Sequence, residues 1–235
     1  MKEQKTGKTC DAGIQYKVFA VGPFGVNCIV VYEHAGTLEK KNAETQDNKD
    51  RRAVIIDPSD EETRVYDFIT KNKLVPEAVL LTHGHLDHIG VSEKFRLKYN
   101  IPVYLHPEDN FLNKNFSMQT GGFPAGSMPF MQAEEVTAMP SELRFGNIRF
   151  SVLHTPGHSP GSVCFYNTAG KVLFCGDTIF NRGVGRTDLW KGSADVLIRS
   201  IKKVVYALPD DVLLMPGHGP ESCIGDEKVS NPFTS

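Results

Sequence analysis

Four side chains able to bind a metal fall within six consecutive positions, His83-Gly84-His85-Leu86-Asp87-His88. Imidazole and carboxylate together suit zinc or another first-row divalent ion. In an extended segment alternate residues share a side, so His83 and His85 face the same way. Asp87 and His88, at a sharp turn into a helix, are placed to serve a second ion nearby. Structural histidines usually occur singly, and packing gives no reason for this density of ligands.

Three more apolar runs end in the same residue types. Val152-Leu153 leads through Thr155-Pro156-Gly157 to His158. Phe174-Cys175 leads to Gly176-Asp177, and Leu213-Leu214-Met215 leads to Pro216-Gly217-His218. Leu80-Leu81-Thr82 stands in the same relation to His83. Sites in open α/β sheets gather at the carboxyl ends of strands. Glycine beside each ligand lets the backbone turn sharply there.

The elements that must position these residues are legible in outline. Apolar, β-branched runs predict strands over 14–21, 27–32, 53–56, 77–81 and 101–105. A hairpin is expected over 143–153, another from 162–166 with 171–175, and a last strand over 212–215. A helix is expected to open at Asp57-Pro58-Ser59-Asp60-Glu61-Glu62, with Val65, Phe68, Ile69 and Leu74 on its apolar face. Further helices are expected over 91–99 and after a Ser193 cap, the latter with apolar Val196, Leu197, Ile201 and Val204. The strand, helix, strand order predicts a right-handed parallel crossover.

Residues 34–52 read as a solvated excursion of a hairpin, with His34 a surface residue at its base. Residues 1–13 read as loose, and residues 183–192 as a loop. The tail from Glu221 reads as irregular. Residues 116–131 mix Phe116, Met118, Phe123 and Met128 with glycine and proline. A packed irregular loop is the plain reading; an apolar lid or a subunit contact are the alternatives. No linker divides the chain. The expectation is one domain over 1–235, built of two similar halves, each giving a sheet that faces the other, with helices outside.

Composition narrows the function classes. Lys+Arg of 26 against Asp+Glu of 28 leaves a net charge of −2, which gives no footprint for nucleic acid. No apolar run approaches the ~18 residues that span a bilayer. The polar start lacks the apolar core of a signal peptide. Five cysteines without a CxxC pair point to reduced thiols and a cytoplasmic setting. A hydrophobic content of 40% supports a sizeable core. The expected partner is a small-molecule substrate, and a homo-oligomer stays open.

Taken together, His83, His85, Asp87, His88, His158, Asp177 and His218 resemble the ligand set of the metallo-β-lactamase fold superfamily. The resemblance runs from Ile14 to about Gly219. It implies a four-layer αβ/βα sandwich with the site between the sheets. It also implies that His83, His85 and His158 hold one ion, that Asp87, His88 and His218 hold another, and that Asp177 bridges them. Two dications ~3.5–4 Å apart need an anion between them, which a carboxylate and a shared hydroxide supply. The expected activity is hydrolysis by a metal-bridging hydroxide. Asp87 would orient the nucleophile or pass a proton to the leaving group. Zinc is the expected ion, with iron or manganese compatible with the same donors.

Within the superfamily, Asp177 stands where well-known zinc β-lactamases place cysteine, which argues against lactam hydrolysis. Phe174-Cys175-Gly176-Asp177-Thr178 and Gly185-Arg186-Thr187-Asp188 resemble the hydroxyacylglutathione hydrolase (glyoxalase II) group, especially its short single-domain relatives. That implies a thioesterase. Typical members of that group help bind glutathione with a C-terminal helical domain; the expectation here is a short, single-domain relative without it, so the resemblance implies the thioesterase more firmly than the glutathione carrier. The same residues resemble persulfide dioxygenases, in which His83, His158 and Asp177 would hold a single iron. A metal-binding protein without turnover is a third reading.

The other candidates have plainer readings. His154 and His106 read as structural. Cys175, two positions before Asp177, shares its face if the strand runs on, but reads first as a buried thiol. Arg186 either holds a substrate carboxylate or pairs with Asp188. Trp190 reads as loop packing.

Overall fold

The fold is taken from a computed structural model, which describes residues 13–34, 50–115, 119 and 133–234. Two six-stranded sheets form it. The first holds β1 (Ile14–Val21), β2 (Val26–Glu33), β3 (Arg51–Ile56), β4 (Leu74–Leu80), β5 (Val103–Leu105) and β6 (Thr137–Ala138), in that order. The antiparallel β1–β2–β3 meander passes into parallel β3–β4–β5–β6 pairing. The parallel pairs require crossovers. The helix α1 (Glu62–Lys71) joins β3 to β4; α2 (Leu86–Ile89) and α3 (Ser92–Tyr99) join β4 to β5.

The second sheet draws on β7 (Glu142–Phe145), β8 (Ile148–His154), β9 (Val163–Asn167), β10 (Val172–Gly176), β13 (Leu213–Pro216) and β14 (Ser222–Cys223), ordered β14-β13-β10-β9-β8-β7. The short strands β11 (Ile179–Phe180) and β12 (Gly183–Val184) pair separately. A short helix α4 (Asn110–Lys114) follows a 3-10 turn, Pro107–Asp109; α5 (Ala194–Lys203) and α6 (Ile224–Ser230) complete the helices named here.

Alternation along the strands builds the layers. In β2 and β3, Ile29, Val31, Val54 and Ile56 face the second sheet and meet Phe150, Phe165, Phe174 and Met215. Cys28, Val30, Ala53 and Ile55 face outward, against Val65 and Ile69 of α1 and Phe95 of α3. In β10, Leu173 and Cys175 face outward to meet Leu197 and Ile201 of α5. The layers are therefore helix, sheet, sheet, helix, as the resemblance implied. Fully burying one such aliphatic or aromatic side chain contributes about 1.5–3 kcal/mol. Among the described residues, no helix is long and apolar enough to cross a membrane.

Several expectations are corrected. Leu74 begins β4 instead of ending α1, because Lys73 takes φ +51° and stops the helix. The tail is not irregular throughout: Ser222–Cys223 pairs with β13, and Ile224–Ser230 is helical. Residues 183–192 are not all loop, since Gly183–Val184 pairs with Ile179–Phe180. Ser193 precedes α5 without a capping hydrogen bond from its side chain. His34 is half-buried, and its N–H donates to Gly13 O. Of the expected excursion over 34–52, residues 35–49 lie outside the described residues, and Arg51 and Arg52 already belong to β3. The apolar stretch 116–131 lies outside them too, apart from Gln119, as do residues 1–12.

Candidate metal centre

The histidine cluster follows directly from the end of β4, and Asp57 at the end of neighbouring β3 holds it. The Asp57 carboxylate accepts from Thr82 N at 2.8 Å and Thr82 Oγ1 at 2.6 Å. His83 Nδ1 donates to Thr82 Oγ1 at 3.0 Å, and His88 Nδ1 donates to Asp57 Oδ2 at 2.9 Å. A carboxylate can only accept, so His88 carries its proton on Nδ1 and turns Nε2 inward. Asp57 thus sits buried beneath the cluster instead of capping α1. The residue before α1 is Glu61, in the left-handed region and without a capping side-chain bond.

His158, Asp177 and His218 arrive from the second sheet. His158 Nδ1 donates to Arg186 O at 2.7 Å, and His218 Nδ1 to Phe24 O at 3.1 Å. Both therefore turn Nε2 into the same space. Gly176 takes φ +48° and packs on Thr82, with no room for a Cβ, so the chain bends there before Asp177. The loop of His218 is clamped by β2: Asn27 N donates to Gly217 O at 2.7 Å, and Asn27 Nδ2 donates to Pro216 O and Gly219 O, each at 2.9 Å.

All seven predicted ligand residues converge. His85 Nδ1 lies 2.8 Å from His158 Nε2, which lies 3.1 Å from His83 Nε2. His88 Nε2 lies 3.2 Å from His218 Nε2, which lies 3.4 Å from Asp87 Oδ2. Asp177 spans the two groups, with Oδ1 3.3 Å from His88 Nε2 and Oδ2 3.6 Å from His158 Nε2 and 3.5 Å from His218 Nε2. Two sp² nitrogens that face each other at 3 Å repel unless a cation stands with them. The trios His83, His85, His158 and Asp87, His88, His218 each bring their ligand atoms within 4.8 Å of one another. Asp177 Oδ1 is buried and has no hydrogen-bond partner among the described residues. The outward nitrogens of His83, His88, His158 and His218 are each held by an oxygen, the arrangement that orients metal-bound imidazoles. These residues fit divalent metal ions.

The electrostatics separate the trios. Burial pushes His83 well below the ordinary imidazole pKa. Burial and the neighbouring His158 take His85 down to about 3. Burial opposes charge on His88 as well, but Asp177, Asp87 and Asp57 outweigh it and hold its pKa well above the ordinary value. His218 is raised in the same way, with Asp87 and Asp177 overcoming burial. Asp87 and Asp177 are both held below the usual carboxylate range, since the facing histidines outweigh burial.

A cavity of about 540 Å³ opens over the centre, and Phe24, Leu86, Phe180, Val184, Leu189 and Trp190 supply its apolar walls. Trp190 is a wall of this cavity, 6.5 Å from the His85 ring, and not merely loop packing. The Arg186 fork is paired with Asp188 through two 2.7 Å bonds, while Arg186 also lines the cavity. Cys175 does not share a face with Asp177; the bend at Gly176 leaves its thiol in the outer core, donating to Ile179 O. His154 and His106 stack on each other with centroids 4.3 Å apart, and His106 accepts from Glu108 N, consistent with structural roles. Gln119 gave no signal in the sequence, yet its Oε1 accepts from Leu86 N and its Nε2 donates to Gly84 O.

Residues 46–218 match the family model described as the metallo-beta-lactamase superfamily. The chain belongs to that superfamily. Among its relatives, the probable metallo-hydrolase YqgX of Bacillus subtilis is 38% identical, over 78% of this chain and 88% of YqgX. An uncharacterized protein of Aquifex aeolicus is 36% identical over 92% of this chain and 95% of its own length. The hydroxyacylglutathione hydrolase GloC of Haemophilus influenzae is 34% identical over 92% of this chain and 96% of GloC. Solved superfamily structures agree. The B3 metallo-beta-lactamase BLEG-1 superposes with a TM-score of 0.80 at 34% identity, covering 94% of this chain and 100% of that one. TTHA1623 in a di-iron-bound form gives 0.75 at 33%, covering 92% and 98%. ETHE1 from Myxococcus xanthus gives 0.68 at 26%, covering 92% and 83%.

Proposed function

We propose that this superfamily member is a two-metal hydrolase acting on a thioester such as a hydroxyacylglutathione, in the cytoplasm. The observation that carries the reading is the convergence of two ligand trios on one carboxylate, Asp177. His83, His85 and His158 would hold the first ion, Asp87, His88 and His218 the second, with Asp177 shared. Divalent ions held there supply a water acidified toward neutrality and polarisation of a carbonyl oxygen. Zinc suits the donors; the di-iron form of TTHA1623 supports iron as an alternative, and manganese is compatible with the same donors.

The chain's own groups complete the chemistry. Asp87 is held below the usual carboxylate range and lines the cavity, so it acts as an acceptor. It orients the attacking water by hydrogen bond, takes its proton and passes it to the departing sulfur. The apolar walls suit the hydrocarbon part of an acyl group, and Arg186 brings a cation to the same cavity. The name of GloC supports the hydroxyacylglutathione class.

A second reading, a mononuclear-iron persulfide dioxygenase, draws on the Gly-Arg-Thr-Asp run at 185–188 and on the proximity of His83, His158 and Asp177. Three assays on metal-loaded protein separate the readings: S-lactoylglutathione hydrolysis, oxygen uptake with glutathione persulfide, and nitrocefin hydrolysis. The last is included because BLEG-1 is named a lactamase. Thioester hydrolysis without oxygen uptake is expected. Oxygen uptake without hydrolysis supports the second reading, and nitrocefin turnover alone refutes both.

A further inference from the structure

Asp109 is fully buried, yet it is neither a metal ligand nor part of the cavity wall. It closes the 3-10 turn Pro107–Asp109, just ahead of α4. Its Oδ2 accepts from Gly84 N at 2.9 Å and Ser159 Oγ at 2.5 Å. Its Oδ1 accepts from Gly161 N at 2.6 Å. Gly84 lies between His83 and His85, and Ser159 follows His158. One carboxylate therefore ties the loop after β4, in the first sheet, to the loop after β8, in the second.

At the metal centre, among the described residues, the same two loops meet through imidazole nitrogens, His85 to His158 and His83 to His158, and beside it Val163 N, at the start of β9, donates to Thr82 O at 2.8 Å. The imidazole contacts bring lone pairs together and cannot hold the loops; Val163 fixes Thr82, and Asp109 alone among these contacts reaches both Gly84, between His83 and His85, and Ser159, next to His158. The fit at Asp109 is close. A Cβ on Gly84 would sit 2.9 Å from Asp109 O, and one on Gly161 would sit 2.7 Å from Asp109 Cγ. Ser159 is itself oriented, since its N–H donates to Ser162 Oγ and the two hydroxyls lie 2.8 Å apart. All three donors point at the Asp109 oxygens, which accept from each of them.

We infer that Asp109 is a positioning residue that fixes His83, His85 and His158 relative to one another and thereby sets the affinity of that trio for its ion. The claim concerns metal binding and stands whichever substrate the centre turns over. Asparagine at 109 keeps the shape but must turn an NH₂ group toward a donor. Outer residues of this kind typically change metal affinity by about 10–100-fold.

The test is cobalt(II) titration read by its visible d–d bands, with affinity measured against a chelator. A His218→Ala background weakens the second trio, so the first reports; a His85→Ala background does the converse. Asp109→Asn is expected to weaken the His83, His85, His158 trio by about 10–100-fold and to alter its bands. Affinity of the other trio should stay within about twofold. Glu227→Gln is the control for general destabilisation: Glu227 is a fully buried carboxylate that accepts from Arg182 N, Ser222 Oγ and Asn231 Nδ2, away from the centre. It should lower the melting temperature of the metal-free protein and leave both affinities unchanged. If Asp109→Asn does not fold, Ser159→Ala removes one of the three donors and should shift the same trio by a smaller factor. Unchanged affinity in the folded variant, equal weakening of both trios, or matching loss in Glu227→Gln overturns the inference.

Discussion

His88 gives its Nδ1 proton to Asp57 across 2.9 Å, in a contact from which solvent is excluded. The same carboxylate takes both donors of Thr82, and through Thr82 it orients His83. One residue at the end of β3 thus sets a ligand of each trio. Asp57→Ala strands three buried donors, each costing about 1–3 kcal/mol. The expected outcome is weaker metal binding by at least about tenfold. A marked fall in melting temperature should persist with metal removed. Metal analysis after dialysis, with calorimetry of the metal-free protein, checks both.

Proton coupling should differ between the ions. Metal binds deprotonated imidazole, so a raised pKa means protons must leave. His88 and His218 are raised, whereas His83 and His85 are lowered. On acidification the ion at Asp87, His88 and His218 should therefore leave first. Titration calorimetry near neutral pH, in buffers of different ionisation enthalpy, should show more protons released on metal binding at His88 and His218 than at His83 and His85. The metal-free protein carries the complementary sign. Stability from charged His88 and His218 is fully present below the unfolded pKa of about 6.5 and declines as pH rises through their raised folded values. Equal proton release at both trios would contradict the assignment.

Gly217 packs against Asp177 Oδ1 so closely that no Cβ fits, and a Cβ there would also sit 2.6 Å from His88 Cε1. Gly217→Ala should displace the shared carboxylate and reduce binding of both ions. Overpacking of this kind costs about 1–3 kcal/mol. Metal content and melting temperature of the purified variant are the readouts.

Thiol chemistry should be confined to few positions. Cys28, Cys164 and Cys175 are buried, and burial raises all three thiols, Cys164 to about 11. Cys223 is half-buried; Cys10 lies outside the described residues. Ellman's reagent on native protein near pH 8 should therefore spare Cys28, Cys164 and Cys175, and denaturant should release all five thiols. Fast labelling of Cys164 in the folded protein would contradict its placement.

The candidate ligands were readable in the sequence because their residue types are chemically loud and because His83, His158, Asp177 and His218 each sit beside a glycine at the end of an apolar run. Asp57 and Asp109 were not. Asp57 reads as part of a helix start and Asp109 carries no pattern at all, and only the folded chain shows that these two point inward at loops distant in sequence. Trp190 was misread for the same reason, since a wall is made by what it faces. The end of α1 was missed because Leu74 continues the helical spacing, while the break lies in the backbone of Lys73, where residue type gives no warning. The tail helix carries few apolar positions, Ile224 and Val229 among them, and so shows no clear period.

The central claim is a pair of adjacent ions sharing Asp177, and anomalous diffraction from zinc-loaded crystals tests it most directly. Two peaks about 3.5–4 Å apart are expected, one among His83, His85 and His158, the other among Asp87, His88 and His218, with Asp177 between. A single peak under saturating zinc, or peaks away from these residues, would contradict it.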